Sequence, residues 1–124
     1  MRSILVLNSK GGSGKTTIAT NLASFYASIG KSVALVDLDT QESSISWLRA
    51  RSSAKPPIIG IKGYGERVKR GVDYKIIDAP AGLNGAALTK VLNMAESVII
   101  PVLPSPIDMR AASEFIKNIK KHSR

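Results

Sequence analysis

The segment 8–17, NSKGGSGKTT, contains the side chains of this sequence that are best suited to phosphate chemistry. Gly14, Lys15 and Thr16 fit the end of the phosphate-binding loop G-x-x-x-x-G-K-[ST], whereas Ser9 occupies the position of its first glycine. In such a loop the lysine binds the β- and γ-phosphates and the hydroxyl holds Mg²⁺. The segment therefore predicts a nucleotide site, and the plainer alternative is a glycine-rich turn without a ligand.

Three carboxylates follow apolar runs elsewhere in the chain. Asp37 and Asp39 end the run VALVDLD, and Asp78 ends the run YKIID. Ligands of open α/β sheets bind at the carboxyl ends of the strands, so these acids point to the edge that holds the glycine loop. An acid there is the expected second contact to Mg²⁺, usually through water, and another can lie near the attacking water. The alternative is that these acids only cap the loops that follow them.

Five short apolar runs must position these residues, at 4–7, 33–36, 58–61, 75–78 and 97–102. Continuous apolar runs are typical of strands that are buried on both faces of a parallel sheet. Because they alternate with helical patterns, the sequence predicts an α/β fold of three layers, a mostly parallel sheet flanked by helices. The sequence ends after the third long helix, although open sheets of this type usually have more strands. A minimal fold and a C-terminally truncated one both fit.

Three helices are predicted from apolar spacing. The first has a stripe of Ile18, Leu22, Phe25 and Ile29 and is closed by Gly30. The second covers about 84–95, with Leu88, Val91, Leu92 and Ala95 on one side. The third runs from about 106 to 121, capped by Ser105, with Met109, Ala112, Ile116 and Ile119 as its inner face. The stretch 63–72 accommodates at most two helical turns.

Composition narrows the classes of function. The chain has 124 residues and no cysteine, which excludes disulfides, thiolate metal sites and cysteine nucleophiles and fits a reducing cytoplasm. No apolar run approaches the roughly 18–20 residues that span a bilayer, and the apolar part of the N-terminus is short for a signal peptide. The net charge of +9 favours a polyanionic partner, either nucleic acid or an acidic membrane surface. The alternative is that the lysines only solubilise the surface.

Four linked motifs resemble the ParA/MinD family of ATPases. KGGSGKTT (10–17) is similar to the deviant Walker A motif of that family, KGGxGKT[TS]. DLDTQESSISW (37–47) is similar to its switch I, and DYKIIDAPAGLNGAAL (73–88) contains a segment at about 78–85 that is similar to its switch II. Residues 99–116 are similar to the strand and helix that follow. The resemblance covers nearly the whole chain and implies one P-loop ATPase domain over 1–124.

The resemblance implies a specific chemistry. Members bind ATP or ADP with Mg²⁺, hydrolyse ATP, and form a nucleotide-sandwich homodimer in the ATP state. Lys10, Lys15 and Asp39 then match the catalytic residues: Lys10 reaches the phosphates of the partner, and Asp39 orients or activates the water. Thr16, Asp37 and Asp78 match the metal-side residues, and Gly12 matches the close dimer contact. The implied nucleotide contacts are Lys10, Gly11, Gly12, Ser13, Gly14, Lys15, Thr16 and Thr17.

The sequence also departs from the family pattern. Thr40 stands where proline is common, and Ala81 stands where many members have a second proline. The segment between the two switches is shorter than expected. The chain ends before the later strands, where the family has an asparagine-containing motif near the adenine.

The resemblance implies a positioning or partitioning ATPase in the cytoplasm, associated with the nucleoid. It would bind DNA without sequence preference, and an adaptor of the centromere-binding type would stimulate its hydrolysis. One group of candidate DNA contacts comprises Lys117, Lys120, Lys121 and Arg124, and the alternative is that cations in the last turn of a helix favour its dipole. Arg67, Lys69 and Arg70 are a second candidate group, for which a plain solvated surface is the alternative. The second hypothesis is a MinD-like ATPase at a membrane surface. Without cysteine an iron–sulfur role is excluded; His122 is assigned no role, and Trp47 is interpreted as a packing residue.

Overall fold

The described residues form five strands and four helices around one parallel sheet. The computed structural model describes residues 1–7, 14–64, 68 and 70–122. The elements are, in chain order, β1 (Arg2–Val6), α1 (Lys15–Ser28), β2 (Val33–Asp37), α2 (Ser43–Ala50), β3 (Ile59–Lys62), β4 (Tyr74–Asp78), α3 (Gly85–Leu92), β5 (Ser97–Ile99) and α4 (Pro106–His122). The sheet order is β3-β2-β4-β1-β5, and all of its pairings are parallel. The predicted α/β layered fold is confirmed.

The two faces of the sheet carry separate apolar clusters. One cluster lies under α1 and combines its alanines with side chains of the strands, such as Leu35 and Ile76. The other lies under α3 and α4 and contains Leu88, Val91 and Phe115. Every residue of β2 is buried, as the continuous apolar run predicted for a strand covered on both faces. The sheet is therefore the middle of three layers.

The predicted apolar stripe of α1 was wrong in two positions, Phe25 and Ile29, whereas Ile18 and Leu22 pack against the cluster under α1. The side chains that face the sheet are Ala19, Ala23 and Ala27, while Phe25 and Ile29 are 56% and 53% exposed. Alanines at this spacing let the helix axis approach the sheet closely, which longer side chains at those positions would prevent. The predicted end of α1 is confirmed: Gly30 has a φ of +85°, and the N–H groups of Gly30 and Lys31 donate back to the helix as in a Schellman motif.

The predicted face of α4 was wrong in two positions. Ala112, Phe115 and Ile119 pack inward, whereas Met109 and Ile116 are exposed. The predicted cap is confirmed, because the backbone N–H of Asp108 donates to Ser105 Oγ at 3.1 Å. The preceding strand is shorter than predicted and ends at Ile99, since Pro101 has no N–H for a sheet ladder.

The middle of the chain differs most from the expectation. Helix α2, Ser43–Ala50, was not predicted from the sequence. Serine has a moderate helix propensity, so this helix depends on tertiary contacts at its start. The described residues between β3 and β4 contain no helix, and residues 65–67 and 69 of the predicted two turns lie outside the described ranges.

Candidate functional site

Parallel pairing brings the predicted acids to one edge of the sheet. Asp37 and Asp78 are the last residues of β2 and β4, and they are direct partners in the register of the two strands. Val6, at the end of the neighbouring strand β1, is the register partner of Asp78 on its other side. Strand β1 therefore ends beside Asp78. The edge predicted to hold the site is the one at which these residues meet.

Helix α1 begins at the same edge. Its N-cap is Gly14, whose φ of +89° is a left-handed conformation that glycine adopts without steric cost. No side-chain cap bonds the first turn of α1, and this turn contains no acid. The N-terminus of a helix presents free N–H groups and a positive dipole end, which suits an anion. The predicted contacts Lys10, Gly11, Gly12 and Ser13 lie outside the described residues.

Lys15, the first residue of α1, turns its ammonium group into this edge. The side chain is only 6% exposed, and Nζ forms an ion pair with the Asp78 carboxylate. The same Nζ lies 3.4 Å from Oδ2 of Asp39. The two catalytic residues predicted within the described chain, Lys15 and Asp39, are thus brought together. The partner of the Lys15 ammonium group in the structure is the Asp78 carboxylate.

Asp78 is fully buried and accepts hydrogen bonds from two hydroxyl groups. Thr16 Oγ1 donates to Asp78 Oδ2 at 3.1 Å. The Ser44 hydroxyl donates to the same oxygen, and Ser44 is itself fully buried. Ser44 was not singled out from the sequence. The sequence feature that could have indicated Ser44 is the run of small polar residues after Asp39. Ser44 is buried because α2 forms, and α2 was not predicted.

Asp37 is 1% exposed and is engaged by backbone groups on both carboxylate oxygens. Oδ1 accepts the N–H of Asp39 at 3.0 Å, and Oδ2 accepts the N–H of Ile45 at 2.9 Å. Burial raises the pKa of Asp37 above its ordinary value, the two backbone N–H groups oppose this, and the nearby charges of Asp78 and Asp39 raise the pKa further. The structure therefore places Asp37 beside the other acids, with its oxygens turned to the backbone.

The start of α2 is held by an ion pair outside the buried site. Glu42, the N-cap of α2, has a φ of +55°, which is the left-handed region and unfavourable for a residue with a Cβ. Its carboxylate Oε1 lies 2.7 Å from Nζ of Lys62 at the end of β3. Trp47, on the following turn of α2, packs against the cluster under α1, which agrees with its interpretation as a packing residue. The side chain of His122 is not described.

The donor set at the edge fits magnesium. A threonine hydroxyl and a carboxylate oxygen, Thr16 Oγ1 and Asp78 Oδ2, already lie 3.1 Å apart, and hard oxygen ligands are those that Mg²⁺ prefers. Within the described ranges no group of three or more His, Cys, Asp or Glu side chains is arranged to hold a metal alone. In the usual Mg²⁺ site of nucleotide enzymes, one or two carboxylates act together with substrate phosphates and water.

A buried lysine, a threonine and acids beside a helix N-terminus, on an open parallel sheet, define a P-loop nucleotide-binding fold. The family model described as the CobQ/CobB/MinD/ParA nucleotide binding domain matches residues 4–124. The chain belongs to this family.

Sequence relatives agree with this assignment, and solved structures share the fold. The chain is 35% identical over 121 residues to "Maintenance of carboxysome distribution protein A" of Gloeobacter kilaueensis, covering 93% of this chain and 55% of that protein. A plasmid partition protein from Borrelia burgdorferi superposes with a TM-score of 0.78 at 19% identity, over 97% of this chain and 72% of that one. The structure of pNOB8 ParA bound to nonspecific DNA superposes with a TM-score of 0.71 at 20% identity, over 93% and 58%. At these identities the two structures show the fold alone.

The chain spans about half the length of the curated relatives it matches, 58% and 55% for two of them. Each helix within the described residues is too short or too polar to cross a membrane.

Proposed function

We propose that this chain acts in a Mg²⁺-dependent ATPase of the ParA type, which dimerises with ATP, binds DNA without sequence preference and positions a cargo. The observation that carries the proposal is the convergence of Lys15, Thr16, Asp39 and Asp78 beside the N-terminus of α1. The family assignment supports nucleotide binding at this edge. A relative named for carboxysome distribution and a structural neighbour bound to nonspecific DNA support the positioning role.

Nucleotide binding requires Lys15 to exchange partners. In the structure its ammonium group neutralises the buried Asp78. The β- and γ-phosphates of ATP would take over Lys15, leaving Asp78 and Thr16 to hold Mg²⁺, which neutralises charge on the phosphates when bound. The exchange keeps each buried charge paired, which avoids the cost of an isolated ion in a low-dielectric site.

Asp39 is the proposed partner of the attacking water. It is 20% exposed, so water reaches it, whereas Asp37 and Asp78 are almost fully buried. Its Oδ1 accepts the N–H of Gln41 at 3.0 Å, which fixes the carboxylate and leaves Oδ2 towards Lys15. An oriented carboxylate can accept a proton of the water as its oxygen attacks the γ-phosphorus and the bond to ADP breaks. Lys10, supplied by a second copy, would stabilise the charge on the transferred group, as an arginine finger does.

The proposed DNA surface includes the exposed cations of α4. Lys117, Lys120 and Lys121 are exposed on its C-terminal turns, and Arg110 is exposed near its start. Lys117 is 67% exposed and lies 3.4 Å from an equally exposed Glu114, a contact that water weakens. Together with the net charge of +9, these side chains can neutralise DNA phosphates.

A membrane surface is the second candidate, because α4 also exposes apolar side chains. Ile107 is 80% exposed, Met109 59% and Ile116 39%, on the helix that carries the lysines. Met109 and Ile116 are seven residues apart and share one side of α4, and an exposed apolar side flanked by cations is typical of a helix that lies on an anionic membrane. The exposed apolar side chains of α4 therefore support the membrane-surface role, which the sequence pattern alone did not support.

Retention assays distinguish the two candidates. The wild-type chain is applied to nonspecific duplex DNA and to anionic liposomes, each with ATP or ADP. ATP-dependent retention on DNA alone supports the proposal, whereas ATP-dependent retention on liposomes alone supports the membrane role. Retention on neither surface contradicts both.

A matched pair of variants locates the surface. Lys120→Ala/Lys121→Ala should weaken DNA binding and reduce the slope of log K against log salt by about 1.8, since each phosphate contact contributes about 0.9. Lys31→Ala/Lys55→Ala removes two exposed lysines elsewhere and should leave the slope unchanged. Equal salt slopes for the two double variants would show that Lys120 and Lys121 do not contact DNA phosphates and would contradict a DNA surface on α4.

A further inference from the structure

We propose that Asp37 is a positioning residue whose carboxylate holds the backbone of residues 38–45, and that it is not a direct Mg²⁺ ligand. This inference rests on the proposed function in one respect, since it assigns Asp37 the task of placing Asp39 for hydrolysis. The sequence left two roles open for Asp37, a contact to Mg²⁺ and a cap of the following segment, and we favour the cap.

The hydrogen bonds of Asp37 lead to two separate points of the same segment. Oδ1 accepts the N–H of Asp39, two residues on, and Oδ2 accepts the N–H of Ile45, eight residues on. Bonds to an ionised acceptor are about twice as strong as neutral ones, and burial of Asp37 protects both from water. One carboxylate therefore fixes both ends of the segment.

Helix α2 needs this contact because its own cap is missing. Glu42 is the N-cap, is in a left-handed conformation, and forms no side-chain cap hydrogen bond. Counting from Glu42, Ile45 is the N3 residue, whose N–H an N-cap side chain usually accepts. Asp37 accepts that N–H in place of Glu42. Its negative charge also lies at the positive end of the helix dipole.

The segment that Asp37 holds carries two residues of the site. Asp39 lies at its start, with Oδ2 3.4 Å from Lys15 Nζ. Ser44 lies in the first turn of α2 and donates to Asp78. Loss of the bond from Ile45 to Asp37 would release this turn and thus move Asp39 and Ser44 relative to Lys15 and Asp78. Both hydrogen bonds described for the Asp37 carboxylate come from backbone N–H groups, so Asp37 acts on Asp39 and Ser44 through the backbone.

The kinetic test compares three aspartate variants of the full chain. Asp37→Asn keeps the shape but presents an NH₂ group to one of the two N–H donors. It should lower kcat for ATP hydrolysis about 10- to 100-fold, as expected for a displaced catalytic group, with KM changed less than about twofold. Affinity for Mn²⁺ with ADP, measured by electron paramagnetic resonance as a substitute for Mg²⁺, should also change less than about twofold.

The other two variants are controls. Asp78→Asn should lose Mn²⁺ affinity, because Asp78 is the proposed ligand. Asp73→Asn is the matched control: Oδ2 of Asp73 also accepts a backbone N–H, that of Ser32 at 2.8 Å, but at the opposite end of the sheet. It should leave kcat unchanged. The proposal is overturned if Asp37→Asn loses Mn²⁺ affinity as Asp78→Asn does, or if its kcat equals that of wild type.

Amide hydrogen exchange tests the same contact without hydrolysis, so failure of the proposed function does not affect it. Ala87 occupies the N3 position of α3, whose N-cap Asn84 also forms no side-chain cap hydrogen bond. In the wild-type chain the amide of Ile45 should exchange at least about tenfold more slowly than that of Ala87, since first-turn N–H groups lack a helical partner. Equal exchange rates in the wild-type protein would refute the positioning role even if Asp37→Asn did not fold.

Discussion

Replacing Lys15 by alanine would leave the Asp78 carboxylate buried without its cation. Lys15 is 6% exposed and Asp78 is fully buried, so water cannot compensate. Breaking such a pair on one side costs about 3–5 kcal/mol. Asp78 keeps hydrogen bonds from Thr16 and Ser44, which favours the lower end of that range. We therefore expect Lys15→Ala to lower the free energy of unfolding by about 3 kcal/mol in the absence of nucleotide.

The assay is a double-mutant cycle in urea, followed by the fluorescence of Trp47, the single tryptophan. With a slope of about 1.5 kcal/mol per molar urea, the expected loss moves the midpoint by about 2 M. Lys15→Ala and Asp78→Ala should each destabilise strongly, and the double variant should be more stable than the sum predicts by about 2 kcal/mol or more.

The exposed pair of Lys117 and Glu114, which are 67% and 69% exposed, is the matched control. Its coupling energy should be below about 0.5 kcal/mol, as for other solvent-exposed pairs. A coupling between Lys15 and Asp78 as small as that of the control would refute the reasoning, because the buried ion pair would then contribute no more to stability than an exposed one.

Three further predictions concern single positions. Glu42→Gly should be more stable than Glu42→Ala by about 1 kcal/mol in urea unfolding, since both lose the contact to Lys62 but only glycine relieves the left-handed strain; equal stabilities would contradict the strain. Ala23→Leu should lower the free energy of unfolding by about 1–3 kcal/mol, because Ala23 is fully buried against the sheet. Phe25→Ala, on the exposed side, should lower it by less than about 1 kcal/mol. If thermal unfolding showed the larger loss for Phe25→Ala, Phe25 would belong to the packed side after all. The raised pKa of Asp37 means that the folded chain holds its proton above pH 3.8, where the unfolded chain releases it. The contribution of Asp37 to stability therefore falls as pH rises above 3.8, and wild type should lose stability relative to Asp37→Asn in that direction; parallel pH profiles would contradict the shift.

The sequence predicted the parts of the site that a motif or a strand end defines. Lys15 and Thr16 follow from the glycine loop, and Asp78 follows from an acid at the end of an apolar strand. Parallel pairing of the strands brings residues at their carboxyl ends to one edge of the sheet, independently of the other elements. Lys15, Thr16 and Asp78 lie together for this reason.

Other features could not be predicted, because they depend on tertiary contacts. Ser44 reaches Asp78 only because α2 forms, and α2 begins at a strained Glu42 and is capped by Asp37 from another element. The helix propensities of residues 43–50 do not indicate that Asp37 caps this helix. Phe25 and Ile29 were placed wrongly on the packed stripe of α1 for a different reason: the spacing of large apolar residues selected them, but the closeness of helix and sheet selects alanine.

Calorimetric titration of the full chain with ATP and Mg²⁺ tests the central claim, that this edge binds nucleotide, most directly. The comparison uses wild type, Lys15→Ala and Lys55→Ala, each checked for a folded circular dichroism spectrum; Lys55 is an exposed lysine in the loop before β3. Wild type and Lys55→Ala should bind with the same Kd, and Lys15→Ala should bind at least about 100-fold more weakly, which corresponds to about 2.7 kcal/mol. Equal affinities for wild type and a folded Lys15→Ala, or no binding by wild type, would contradict the account.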